Sequence, residues 1–321
     1  MSCAHSNKAR TFGLFRVVTL ALATCAVVAV TPAPVRAATA PADDPLAALA
    51  RSAADHALTQ GIALVARGDW DAARRAFEHA VSWNHDLALG HFNLGVTLGV
   101  LKRPDEAIAA YRRTLQVAPA MSEALINLGV ELFKAGRPHE ALAPLEQAVR
   151  RAPEQAAGHH NLGVVLAELG RVAEAIRALE KADTLAPGAV PTRRALADTH
   201  YNLGTRRAHE RHWRDALNHY QAAIRYDGAH AGAFNGAGIA LARLGQDEAA
   251  VTMFNDALTR RPGFAEASYN LALALAALGR HAEAVDACRA ALASRPTLVP
   301  AAQLLDSLLR AVAPGSRRRS G

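Results

Sequence analysis

Small and large apolar positions return along the chain at a fixed interval. Glycine or alanine stands at Gly61, Gly95, Gly129, Gly163, Gly204, Gly238 and Ala272, so the spacing is 34 residues at every step except one of 41. Twelve residues after each comes an alanine: Ala73, Ala107, Ala141, Ala175, Ala216, Ala250 and Ala284. A larger side chain follows four residues later (Phe77, Tyr111, Leu145, Leu179, Tyr220, Phe254, Cys288), and a small one three after that. Steps of three and four place these residues on one face of a helix. The pattern therefore predicts, in each unit, a first helix carrying the glycine, a short turn such as Ala135-Gly136-Arg137 or Leu169-Gly170-Arg171, and a second helix carrying the alanine. Six of the seven units close on a helix breaker (Pro119, Pro153, Pro187, Gly228, Pro262, Pro296), and His85 stands in the other.

Two antiparallel helices result, with the small residue facing alanine so that the backbones approach, and the larger residues filling the space between units. A lone pair cannot bury its apolar face, so the units must stack. After the last unit Ala301, Leu304, Leu305, Leu308, Leu309 and Val312 make an apolar stripe opposed by Gln303, Asp306, Ser307 and Arg310. That amphipathic helix, residues 299–313, is suited to close the open end of a stack.

These positions resemble the tetratricopeptide repeat family, in seven copies over residues 54–298. The resemblance implies an all-α fold, a right-handed superhelical solenoid of antiparallel helix pairs with a C-terminal capping helix. Some positions depart from the pattern. Gln60 stands where leucine is usual in the first copy, and the sixth has Ala237 there. In the fifth copy Arg207 takes the place of Leu98 and Leu132, which predicts a first helix that packs less tightly or lies partly exposed.

The interval of 41 divides the repeats into copies one to four (54–189) and five to seven (197–298), with residues 190–196 between them. Seven extra residues equal about two helical turns. They either extend the next helix, with Thr192 as its cap, or form a loop on which the two groups hinge.

The start of the chain has a different character. Lys8, Arg10 and Arg16 precede the apolar run Val17 to Val30, Pro32 and Pro34 follow, and Val35-Arg36-Ala37 offers small residues before Ala38. This is the layout of an export signal over residues 1–37, and the run falls short of the roughly 20 residues of a membrane span. An uncleaved anchor, or a lipoprotein acylated at Cys25, are the other readings. Residues 38–53 then form a leader and the start of the first helix, with Asp44-Pro45 as its cap and first position. An exported, periplasmic or secreted protein is expected.

Composition narrows the function. Of 321 residues 51% are hydrophobic and 5% aromatic, and 20% are charged, which excludes a disordered chain. The net charge of +7 first suggests an anionic partner. However, the signal segment holds four basic residues and no acid, and the tail 314–321 holds Arg317, Arg318 and Arg319, so residues 38–313 carry no net charge. The repeats offer no general reason to bind nucleic acid. Membrane contact is expected only through an uncleaved or lipidated N-terminus.

The first helices of a solenoid line its concave face. Two places before the small residue stand Asn93, Asn127, Asn161, Asn202 and Asn270, with Thr59 in the first copy and Gly236 interrupting the sixth. Three residues further lie Val96, Val130, Val164, Thr205 and Leu273, and beside the row lie Phe92, Ile126, His160, Tyr201 and Tyr269. A carboxamide donates and accepts, so it can pair with the backbone of an extended peptide while apolar strips take alternate side chains. The row is similar to the asparagine ladder of O-linked N-acetylglucosamine transferase repeats, where the resemblance implies that such residues hold a polypeptide. Alternatively the asparagines steady the helix surface. The carboxylate-clamp form of the family requires lysine and arginine on this face, where Leu89, Glu123, Ala157 and Glu266 stand.

Arg193, Arg194, Arg206, Arg207, Arg211 and Arg214, relieved by Asp198 and Glu210, form a second candidate, for an acidic partner or as a solvated face. His159, His160, His200, His209 and His212 lack ligand spacing for a metal, and there is no phosphate loop, nucleophile elbow or HExxH. Cys288 falls at a core position. The sequence thus predicts a non-enzymatic scaffold or adaptor without cofactors that binds a protein or peptide in its groove, in envelope or secretion-related assembly. The alternative is a non-catalytic accessory subunit of an envelope enzyme complex, such as a glycosyltransferase or peptidase.

Overall fold

A computed structural model describes residues 44–312, which form fifteen α-helices and, among the described residues, no strand. The first helices of the seven copies are α1 (Pro45–Ala66), α3 (Ala88–Val100), α5 (Ser122–Lys134), α7 (Ala156–Glu168), α9 (Val190–His209), α11 (Ala231–Arg243) and α13 (Ala265–Ala277). The second helices are α2 (Trp70–Trp83), α4 (Pro104–Val117), α6 (Pro138–Arg151), α8 (Val172–Leu185), α10 (Trp213–Tyr226), α12 (Asp247–Arg260) and α14 (His281–Ser294). Helix α15 (Val299–Val312) lies against α14 and buries Ala301 and Leu308.

Each helix packs on the one before it and the one after it, so the chain is an all-α solenoid of helix pairs. Each odd-numbered helix from α1 to α11 also touches the next odd-numbered one, which the even-numbered helices do not do to a comparable extent. Helices that stay in mutual contact lie on the inside of a curved stack. The odd helices therefore line its inner face.

The alanine twelve residues after each small position is fully buried in all seven copies. The glycines face these alanines as expected, since a Cβ on Gly163 would lie 3.1 Å from the Ala175 carbonyl oxygen and one on Gly204 3.2 Å from that of Ala216, and they also receive a larger side chain. A Cβ on Gly129 would lie 2.5 Å from Leu145 Cγ, one on Gly163 2.6 Å from Leu179 Cγ, and one on Gly238 2.6 Å from the Phe254 ring. The glycine thus receives the large side chain sixteen residues later, from the second helix of its own unit. That side chain fills the inside of the helix pair, and in copy five Tyr220 also fills the space between units, where a Cβ on Gly236 of the next copy would lie 2.6 Å from its ring.

Residues 190–196 are the first two turns of α9, which has 20 residues against 13 in α3, α5, α7, α11 and α13. Thr192 does not cap the helix. Ala189 holds the cap position, and Thr192 is buried with its hydroxyl 3.1 Å from His160 Nδ1 of α7. Leu196 and Ala197 are buried as well, and Arg193 donates from Nη2 to the carbonyl of Arg225 at 2.9 Å. The added turns are therefore tied to the elements on both sides. Helix α1 is also long, with 22 residues, and Asp44 caps it by accepting from the Leu46 amide at 2.9 Å, with Pro45 first in the helix.

Candidate binding groove

The inner face separates the predicted groove residues into two sets. Phe92, Asn93 and Val96 are each 1% exposed and Val130 is buried too, so these four offer no surface to a ligand. Phe92 packs on Tyr111 with ring centroids 5.9 Å apart, and together with Val96 it belongs to the core shared by copies two to four. Val130 lies in a smaller cluster with Leu125 and Ile126. Neither amide atom of Asn93 has a hydrogen-bond partner among the described residues. The sequence places these residues on the first helices by their spacing, and their depth is set by the neighbouring helices.

The second set is accessible. Asn127, Asn161, Val164, Tyr201, Tyr269 and Asn270 are half-buried, and Asn202 is exposed. Asn161 donates to the carbonyl of Ala157 one turn earlier at 2.9 Å, leaving its oxygen free to accept. Asn270 donates to Asn235 Oδ1 at 3.0 Å. Asn235, one place before Gly236, thus fills the gap in the sixth copy that a strict register search leaves empty. An asparagine one position out of register beside a glycine was the signal for it. Leu273 is 42% exposed and Thr205 half-buried, so apolar surface accompanies the row in the last copies.

Copy five concentrates rings. His200 is buried between His219 and Tyr226 of α10, with centroids 5.5 and 5.8 Å away, and the Nδ1 atoms of the two histidines lie 3.3 Å apart. Burial above all, then the His219 and Arg225 charges, lowers the His200 pKa to about 4. Tyr201 packs between His230 and Tyr220 at 4.8 and 5.8 Å. His230 Nδ1 accepts from the Ala233 amide at 2.9 Å, so its proton is on Nε2, which faces Asp198 Oδ1 at 3.4 Å. Among the described residues no group of three or more His, Cys, Asp or Glu side chains could hold a metal ion.

The six predicted arginines do not form one cluster. Arg193 and Arg194 lie near the start of α9 and Arg206 and Arg207 at its end, about 20 Å apart along the axis of a continuous helix. Arg207 pairs with Glu210 at 2.9 Å and keeps 40% of its side chain exposed, where Leu132 is 2% exposed.

A periodic charge pairing was not anticipated from sequence. The residue at the N-cap of the second helix and the one three later form a two-pronged ion pair in copies two, three, four and seven: Arg103 with Glu106, Arg137 with Glu140, Arg171 with Glu174 and Arg280 with Glu283. The guanidinium holds each of the Glu140, Glu174 and Glu283 carboxyls below the ordinary range. An R-x-x-E recurring every 34 residues would have revealed it.

The tetratricopeptide repeat family profile matches residues 58–124, 126–190, 201–263 and 248–298, well over half of the chain. The chain belongs to the tetratricopeptide repeat family. Tetratricopeptide repeats are protein-interaction scaffolds and are generally non-catalytic. The gap between the second and third matched stretches falls on the added turns of α9. Among solved structures, the C-terminal part of a repeat-containing protein from Cytophaga hutchinsonii is 17% identical, with a TM-score of 0.60, covering 77% of this chain and 99% of its own. YrrB, a repeat protein described as having an unusual peptide-binding site, is 25% identical with a TM-score of 0.49, covering 60% of this chain and 95% of its own. No curated protein matches the chain at a significant level. No helix among the described residues is long and apolar enough to cross a membrane.

Proposed function

We propose that this tetratricopeptide repeat protein is an exported, non-enzymatic scaffold or adaptor that holds an extended polypeptide or a protein partner along its inner face, in assembly of an envelope or secretion-related system. The observation that supports the reading is the accessible row of carboxamides on the odd helices, Asn127, Asn161, Asn202 and Asn270, flanked by Val164, Tyr201 and Tyr269. Amide side chains engage a peptide backbone whatever its sequence, while the flanking side chains favour apolar residues in alternate positions. Export rests on the charged, apolar and small-residue layout of residues 1–37, which lie outside the described residues.

The test is site-specific photo-crosslinking from positions 127, 161 and 202 on the inner face, with position 218 on α10 as an outer control. A partner crosslinked from the inner positions, and lost in Asn127→Ala/Asn161→Ala/Asn202→Ala, is the expected result. Capture from position 218 alone, or capture unchanged in the triple variant, overturns the groove.

A further inference from the structure

The turn between α9 and α10 differs from the six equivalent turns in charge. Residues 206–215 hold four arginines against Glu210 and Asp215, a net charge of +2, while the corresponding ten residues of every other copy carry 0 or −1. Elsewhere the cation that opens the second helix is matched in its own unit by the glutamate three residues on, in copies two, three, four and seven. In copy five His212 and Asp215 occupy those two positions, and the one nearby glutamate, Glu210, is engaged by Arg207 at 2.9 Å and His212 at 3.4 Å. Arg206, Arg211 and Arg214 are exposed, and no carboxylate lies within ion-pair distance of them among the described residues. Arg243 of the next copy adds a fourth cation over the Trp213 ring, 5.7 Å from its centroid.

The backbone gives a second, independent observation. The equivalent turn position is left-handed in every copy, and five copies use glycine there: Gly68, Gly136, Gly170, Gly245 and Gly279. Copies two and five place a cation there instead, Lys102 with φ +57° and Arg211 with φ +62°, and only in copy five do further unpaired arginines surround it. A side chain there carries a steric cost that glycine avoids. The position therefore holds an unpaired, exposed guanidinium at the expense of backbone strain.

We propose that the α9–α10 turn docks an acidic segment of a protein partner, whose carboxylates supply from outside the counter-charge that Glu106, Glu140, Glu174 and Glu283 supply within their own turns. Carboxylate is the chemistry to which arginine is already matched on this edge of the solenoid, through paired N–H donors. A short segment also suits the extent of the charge. A phospholipid surface or a nucleic acid would continue its negative charge past the turns of copies four and six, each of which carries −1 and would repel it. The site lies at a turn of the helix pairs, one helical turn beyond Asn202 on α9 and away from the carboxamides of the other copies.

The experiment uses the purified protein and a fluorescein-labelled ten-residue oligoglutamate peptide, followed by anisotropy in 50 mM and 200 mM NaCl. The expected result is binding that weakens with salt and falls at least tenfold in Arg206→Gln/Arg211→Gly/Arg214→Gln, while Asn127→Ala/Asn161→Ala binds like the parent. Arg211→Gly alone is expected to weaken the peptide and leave the melting temperature equal or higher, which separates lost binding from lost folding. Equal affinity in the parent and the triple arginine variant overturns the proposal. So does tighter binding of phosphatidylglycerol vesicles or of a twenty-residue oligothymidylate through the same three arginines.

Discussion

At the scale of single residues, His200 couples the protein to pH. Its imidazole is 9% exposed, packed between His219 and Tyr226, and burial holds its pKa at about 4 against 6.5 for a free side chain. The groups facing this stack are His219 and Arg225 from α10, with Arg206, Arg207 and Asp215 acting on His219 and Glu180 and Asp183 of α8 on Tyr226. Above pH 6.5 the ring is neutral in folded and unfolded chains alike, and its contribution is fully present. As pH falls from 6.5 towards 4 the unfolded chain takes up a proton that the folded one refuses, so stability is lost, by about 2 kcal/mol for a ring that retains some solvent contact. Urea unfolding at pH 7.5 and pH 4.5 checks this, and His200→Gln is expected to flatten the difference. Lys102 gives a prediction of opposite sign. It has φ +57° at the turn position where most copies use glycine, so Lys102→Gly is expected to stabilise by about 0.5–1 kcal/mol, read as a raised urea midpoint.

At the scale of elements, the helix pair depends on the fit between a glycine and the side chain it receives. Gly129→Ala would bring a methyl carbon to 2.5 Å from Leu145 Cγ, and since Leu145 is fully buried it has little room to move. A loss of about 1–3 kcal/mol is expected by chemical denaturation, with helix content retained. The sequence revealed the helices because periods of three and four and the turn glycines are local features. It did not reveal that each glycine also receives the large side chain sixteen residues later, because a residue on the same unit and one on the next satisfy the same spacing. Nor did it place Phe92, Asn93, Val96 and Val130 below the surface. Their burial comes from packing such as that of Phe92 on Tyr111, between side chains on different helices. The six arginines read as one cluster only while residues 190–196 could form a loop. In a continuous α9, Arg194 and Arg206 are twelve residues apart on one rod.

At the scale of the molecule, stability is the sum of similar units and the interfaces between them. Thr192, bonded to His160 of α7, lies in the interface that joins copies four and five, and Leu196 one turn further along α9 is buried too. Leu196→Ala, which removes a fully buried side chain, is expected to cost about 2–5 kcal/mol and to raise amide exchange in α9 and α10 before it does so in α3 to α6. The export reading carries its own check, because N-terminal sequencing of the protein recovered from a secreting host should begin at Ala38. A mature chain that begins at Met1 and stays with the cytoplasm would remove the periplasmic assignment while leaving the inner face untouched.

Helix α9 has a mechanical consequence. A stack of like units behaves as a spring whose coils share an applied strain evenly. Here one coil is a rod of about 30 Å, fastened to α7 through Thr192 and His160 and to the end of α10 through Arg193 and the Arg225 carbonyl. Sliding α7 past α9, or α9 past the end of α10, must break one of these bonds, so an applied strain is expected to be taken up first at the other junctions of the stack.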